Sequence, residues 1–243
     1  MPAFKIAVIN EASVAQADVE AFVAGASAWV TDKLAPFWPE IAGTTIRSIA
    51  AGASSGSDEA QLVIAPNTTL ANSLGYHNWT PGGLPTAIVE MDACIAHNQP
   101  WTIPGTHEIG EMLINPQLAG YIYVGNLAYP KEICDPVTSD RMEISGILAA
   151  NAVTPAWFNQ MAPANSQFDL LGNVHAPIPQ IPKGGWVEWW DGSGWQNAWG
   201  AEMAPDMLAY MNARQGRRFS MRLGHESWTS ARRVPKPSVS TLT

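Results

Sequence analysis

The chain has 243 residues, 47% of them hydrophobic and 14% charged, with a formal net charge of -8 and a pI near 5.0. That is enough apolar material to bury the core of one large domain or two small ones, which excludes a disordered chain. The acidic balance excludes a nucleic-acid partner, because phosphates reward a basic face.

Six arginines gather near the end (Arg214, Arg217, Arg218, Arg222, Arg232 and Arg233), and such a group reads as a solvated surface. The opening Met-Pro-Ala-Phe-Lys-Ile-Ala-Val-Ile-Asn lacks the long apolar core of a secretory signal, and no later run reaches the length of a membrane span. The expectation is a cytoplasmic protein that does not contact a membrane. Two cysteines, Cys94 and Cys134, are too few for a disulfide framework and are expected to be reduced and structural.

In chain order, residues 4–9 read as a buried strand. A helix follows, with Asp18 near its start, an apolar stripe of Val19, Phe22, Val23, Ala26 and Val30, and Pro36 and Pro39 at its end. Strands are expected at 44–49, 61–65 and 86–91, with Gly75-Tyr-His-Asn-Trp and a Pro81-Gly-Gly turn between the last two. A second helix opens near Gly105–Thr106 and stops at Asn115-Pro116. This order predicts an α+β fold, a small mixed sheet backed by two helices.

Past residue 120 the texture changes. Residues 121–124 read as a short strand and 144–153 as an apolar stretch. Residues 155–200 are irregular and rich in Pro, Gly, Trp and Asn. Within them, Trp186-Val-Glu-Trp-Trp-Asp-Gly-Ser-Gly-Trp predicts a hairpin. A short helix is expected over 203–212 and an extended tail over 234–243. The five tryptophans 186, 189, 190, 195 and 199 suit core and interface packing better than a glycan platform.

The chemistry centres on Thr106-His-Glu-Ile-Gly-Glu-Met. His107 and Glu111 are four apart on a helix, so both lie on one face and can hold one metal ion between them. This is the geometry of His-Glu-x-x-His, with a carboxylate at the second histidine's place. Glu108 would lie beside the ion, where a general base for an activated water belongs. A second acidic pair, Glu132 and Asp135, follows 21 and 24 residues after Glu111. On spacing alone it suits either a third ligand or a solvated turn. His77 could line the cleft or bind a developing oxyanion, though a loop histidine at the surface is the commoner case. Tyr121 and Tyr123 could offer a phenol, while His97, His175 and His225 read as structural.

Several segments recur together in one order: Gly75-Tyr-His, the His107-Glu-Ile-Gly-Glu-Met-Leu-Ile-Asn-Pro helix, Glu132-Ile-Cys-Asp-Pro, Thr154-Pro-Ala-Trp-Phe, Phe168-Asp-Leu-Leu-Gly, Pro182-Lys-Gly-Gly-Trp and Ser230-Ala-Arg-Arg. As a set, spanning roughly residues 70–233, they resemble a zincin-like metallopeptidase family of bacteria and phages. One departure is Asn115, where the family pattern tends to Asp. The resemblance implies a zincin-like N-terminal subdomain over 1–118, a C-terminal subdomain over 119–233 completing the site, and a tail over 234–243. By the logic of thermolysin-like zincins, a later carboxylate is the third ligand and a neighbouring Asp orients the first histidine. Glu132 and Asp135 fit those roles in either order. One histidine with two carboxylates makes an oxygen-rich site, so zinc is expected first, with Mn²⁺ or Ca²⁺ as alternatives.

The expected activity is metal-dependent hydrolysis of a peptide or protein substrate. The competing expectation is a phage virion protein that keeps a zincin fold for assembly and joins virion proteins, or copies of itself, through its tail.

Overall fold

The strand read over residues 4–9 is β1 (Lys5–Asn10), whose Ile6, Ala7 and Val8 are fully buried. The computed structural model describes residues 3–50, 53–67, 74–79 and 83–201. The short helix over 203–212, the arginine cluster, His225 and the tail over 234–243 lie outside the described residues. Helix α1 (Gln16–Ala28) follows β1 and buries Val19, Phe22 and Ala26 from the stripe. It continues as a π-helical stretch over Trp29–Leu34, whose wider turn is closed by the Ala35 N–H donating to Val30 O.

Strands β2 (Thr45–Ile49), β3 (Ala60–Ala65), β4 (Gly75–Asn78) and β5 (Thr86–Glu90) complete a five-stranded sheet in the order β2-β1-β3-β5-β4. The β1–β2, β1–β3 and β3–β5 pairs are parallel, whereas β4 runs antiparallel to β5, with His77 opposite Ala87. The mixed sheet and its α+β class are as expected. Gly75–Asn78 adds an edge strand that its mixture of glycine, aromatic and polar residues did not reveal. The chain also turns directly from β5 into a short helix α2 (Met91–Ala96), so Met91 begins a helix rather than ending a strand.

At one sheet edge Arg47 forks onto Glu59, with Nε and Nη2 each donating to a carboxylate oxygen at 2.6 Å. The Arg47 hydrogen bond comes first among the causes that hold the Glu59 carboxyl down at about 2. The contribution of this pair is therefore present above the ordinary carboxylate value of 4.5 and is lost as pH falls through about 2. Glu59→Gln is expected to flatten the acid-side fall in Tm across that window. Melts of both proteins with equal slopes there would contradict it.

Helix α3 (Thr102–Ile114) starts three residues earlier than Gly105. Pro104 falls in its first turn, where a backbone N–H has no partner within the helix, so the proline is tolerated inside it. The helix ends before Pro116 as expected. It is buried on every side, between β4 and β5 of the sheet and a hairpin beyond it.

That hairpin, β8 (Arg141–Ile144) and β9 (Ile147–Ala150), divides the apolar stretch read over 144–153. Its two-residue turn is Ser145-Gly146, both at positive φ. Ala150 N–H donates to Thr106 Oγ1 on α3, and Thr102 Oγ1 donates to Leu148 O, which fixes the hairpin to the helix. Beyond α3, β6 (Tyr121–Val124) and β7 (Leu127–Pro130) join the tryptophan hairpin, β10 (Trp186–Trp190) and β11 (Trp195–Trp199), in a second sheet of order β11-β10-β7-β6. Trp186 stacks on Trp199 and Trp190 meets Trp195 edge-on, so these rings pack largely against one another. Residues 155–185 contain no helix or regular strand among the described residues. A single buried cluster runs from Ile6 and Val8 through Ile109 and Met112 to Trp157, Phe168 and Val187.

Candidate metal centre

Three elements converge on the buried middle of α3. The helix contributes His107, Glu108 and Glu111, edge strand β4 contributes His77, and the segment after β7 contributes Glu132 and Asp135. None of the six is more than 6% exposed. Ordinarily a buried carboxylate is expelled or neutralised, because an unpaired charge in a low dielectric costs several kcal/mol. Six titratable groups held together out of water therefore call for a countercharge.

The geometry separates into two sides that share Glu111. On one, His107 Nε2 lies 3.1 Å from Glu111 Oε1 and 3.3 Å from Asp135 Oδ1. On the other, His77 Nδ1 lies 3.3 Å from Glu108 Oε2 and 3.7 Å from Glu111 Oε2, while His77 Nε2 is 3.9 Å from Glu132 Oε2. Neither His77 Nε2 nor His107 Nε2 makes an aligned hydrogen bond, although both are buried. Burial alone would lower the pKa of His107. The carboxylates of Glu111 and Asp135, and then Glu108, outweigh it and raise the imidazole to about 10. His77 is raised in the same way, the Glu108 contact and then Glu132 overcoming its desolvation. Without a metal, the surrounding carboxylates thus favour the protonated form of both imidazoles.

The helix can approach its neighbours this closely because of its glycines. A Cβ on Gly110 would stand 2.7 Å from Trp29 Cη2 and 3.2 Å from Cys134 Sγ, so the glycine inside His107-Glu-Ile-Gly-Glu is required by packing. Likewise a Cβ on Gly75 would meet Ile88 O at 2.9 Å and Glu108 Cγ at 3.1 Å, which is why β4 can lie over the glutamate. Gly110→Ala would gain about 1 kcal/mol of helix propensity and lose about 1–3 kcal/mol to overpacking against the fully buried Trp29 ring. The net expectation is a Tm lower by up to about 8 °C. A thermal melt showing a higher Tm would contradict the packing.

Asn115 has a defined part. Its Nδ2 donates to Glu132 Oε1 at 3.1 Å, and its Oδ1 accepts from Gly120 N–H at 2.7 Å. An ionised aspartate could accept from Gly120 but could not donate to Glu132, so the amide suits this chain's own neighbour.

Each sequence-derived candidate can now be placed. His107, Glu108, Glu111, Glu132, Asp135 and His77 all come together, with Asp135 against His107 and Glu132 against His77. His77 is buried in β4 and not on a surface loop. Tyr121 donates its hydroxyl to Leu118 O, Tyr123 is largely exposed, and His97 and His175 lie at the surface, all away from the cluster. Cys94 and Cys134 are buried free thiols, and burial pushes the Cys94 pKa up to about 12, so it is inert.

What the fold and site together define is a mixed α+β protein with a buried histidine–carboxylate cluster that could hold a metal ion. No family model, curated protein or solved structure matches the chain. No helix among the described residues is long and apolar enough to cross a membrane.

Proposed function

We propose that the protein is a metal-dependent hydrolase of the zincin-like kind, acting on peptide bonds, with zinc as the preferred ion. The observation that carries this reading is that His107 Nε2 has Glu111 Oε1 at 3.1 Å and Asp135 Oδ1 at 3.3 Å beside it in a buried site. Donor atoms about 2.0–2.2 Å from a tetrahedral ion stand roughly 3.3 Å apart, so the two separations from His107 Nε2 suit zinc. The donor set fits as well, since one imidazole with two carboxylates accepts Zn²⁺, Mn²⁺ or Ca²⁺, and the imidazole nitrogen favours zinc over calcium. A mixed sheet backed by α1 and α3, with His-Glu-x-x-Glu on the second helix, supports the zincin-like class.

His107, Glu111 and Asp135 would hold the ion, which supplies Lewis acidity that polarises the scissile carbonyl and acidifies water. Glu108 follows His107 in the helix, about 100° around its axis, and serves as general base. It takes a proton from water as the hydroxyl adds to the acyl carbon, then delivers that proton to the amine as the C–N bond breaks. His77 Nδ1, 3.3 Å from Glu108 Oε2, orients that carboxylate. Asn115 holds Glu132 at the far side of the cluster.

Protein purified without added metal should contain a divalent ion by elemental analysis and cleave members of a peptide library. Chelation should abolish cleavage, and zinc should restore it. Protein that binds no ion under zinc-replete conditions would overturn the proposal.

A further inference from the structure

We propose that the cluster takes two divalent cations, with Glu111 as the carboxylate they share. This rests on the reading of the site as a metal centre and adds a second ion to it. Glu111 directs its two oxygens to different imidazoles, Oε1 to His107 at 3.1 Å and Oε2 toward His77 at 3.7 Å. A carboxylate serving one ion has no need of a histidine on each side, whereas a bridging carboxylate does.

The second side forms a donor set by itself. His77, Glu111 and Glu132 bring one ligand atom each within 4.8 Å of one another, as do His107, Glu108 and Glu111. The side chain of His77 is only 2% exposed, and its Nε2 makes no hydrogen bond while facing Glu132 Oε2 at 3.9 Å. Its other nitrogen, Nδ1, faces Glu108 Oε2 at 3.3 Å. One nitrogen held by a carboxylate and the other left toward the cluster is the pattern that orients a metal-ligating imidazole. Each ion would then have one imidazole and one private carboxylate, His107 with Asp135 and His77 with Glu132, with Glu111 common to both.

The composition of the cluster agrees with two ions: four carboxylates and two histidines are gathered here out of water, and a buried acidic set favours cations beside it. Paired ions about 3.5–4 Å apart recur in hydrolytic enzymes, where they clamp the attacking and leaving oxygens.

The full chain, stripped with chelator and titrated with Zn²⁺, is expected to bind two equivalents, and one equivalent after His77→Ala. Loaded with Mn²⁺, the wild type should give the exchange-coupled spectrum of a neighbouring pair by electron paramagnetic resonance. His77→Ala, or His77→Phe should the alanine variant fold poorly, should give the spectrum of an isolated ion. A wild type that binds one equivalent overturns the shared-carboxylate site and leaves the mononuclear reading intact, while zero equivalents overturns both. Two equivalents without exchange coupling, or two retained in the His77 variants, also overturns it, because the second ion would then lie elsewhere.

Discussion

Glu108→Gln is expected to lower the rate of peptide hydrolysis by about 10²-fold or more, the scale of a lost general base, with metal content and folding unchanged. The substitution keeps the size of the side chain and an acceptor oxygen opposite His77 Nδ1, which stands 3.3 Å from Glu108 Oε2. It removes the basicity needed to take a proton from water. A site that only stabilises the fold has no use for that basicity. The His107, Glu111 and Asp135 contacts at 3.1–3.3 Å do not involve Glu108, so they can survive the change. The measurement is single-turnover cleavage of a selected peptide, with elemental analysis of the same preparations. Equal rates in variant and wild type would remove Glu108 from the chemistry. Wild type that holds metal yet cleaves nothing in the library would make the glutamate a relic, in favour of the assembly reading.

His107→Ala is expected to erase the stabilisation that metal gives. An ion that binds only the folded chain adds about 4 kcal/mol when its free concentration is 1,000 times its Kd. For a chain of 243 residues this is a gain of about 8–16 °C in Tm. Removing His107 Nε2 leaves Glu111 and Asp135 without the nitrogen donor between them, so Zn²⁺ should no longer shift the melt of the variant. The metal-free proteins provide the control. There the imidazole, with its pKa raised to about 10, is a cation among carboxylates, and its loss costs stability independently of zinc. The informative quantity is therefore the zinc-dependent change in Tm within each protein. An equal zinc shift in both would take His107 out of the metal site.

Much of this molecule is legible in its sequence because the responsible signals are local. The β1 run, the α1 stripe and the Asp-Gly-Ser-Gly turn before β11 carry their periodicity or turn chemistry in consecutive residues, and each forms where that pattern places it. His107 and Glu111 share a face because helix geometry puts residues four apart together, whatever surrounds them. Spacing also brought Glu132 and Asp135 under suspicion, but it could not say which would face His107. That choice depends on the course of the chain from Asn115 through β6 and β7, and on the Asn115 amide that holds Glu132 away toward His77.

His77 shows the boundary most clearly. In Gly75-Tyr-His-Asn no periodicity announces a strand, and a histidine there reads as a surface residue. Its burial follows from β4 pairing antiparallel with β5 and lying over α3, an approach that Gly75 permits because a side chain there would meet Ile88 O and Glu108. The early start of α3 through Pro104 and the turn at Ser145-Gly146 were likewise settled by packing. The sequence by itself determined which residues could carry the chemistry, because helix period and donor type are properties of short segments. Tertiary structure decided which imidazole faces which carboxylate, because those distances are set by contacts between segments far apart in the chain.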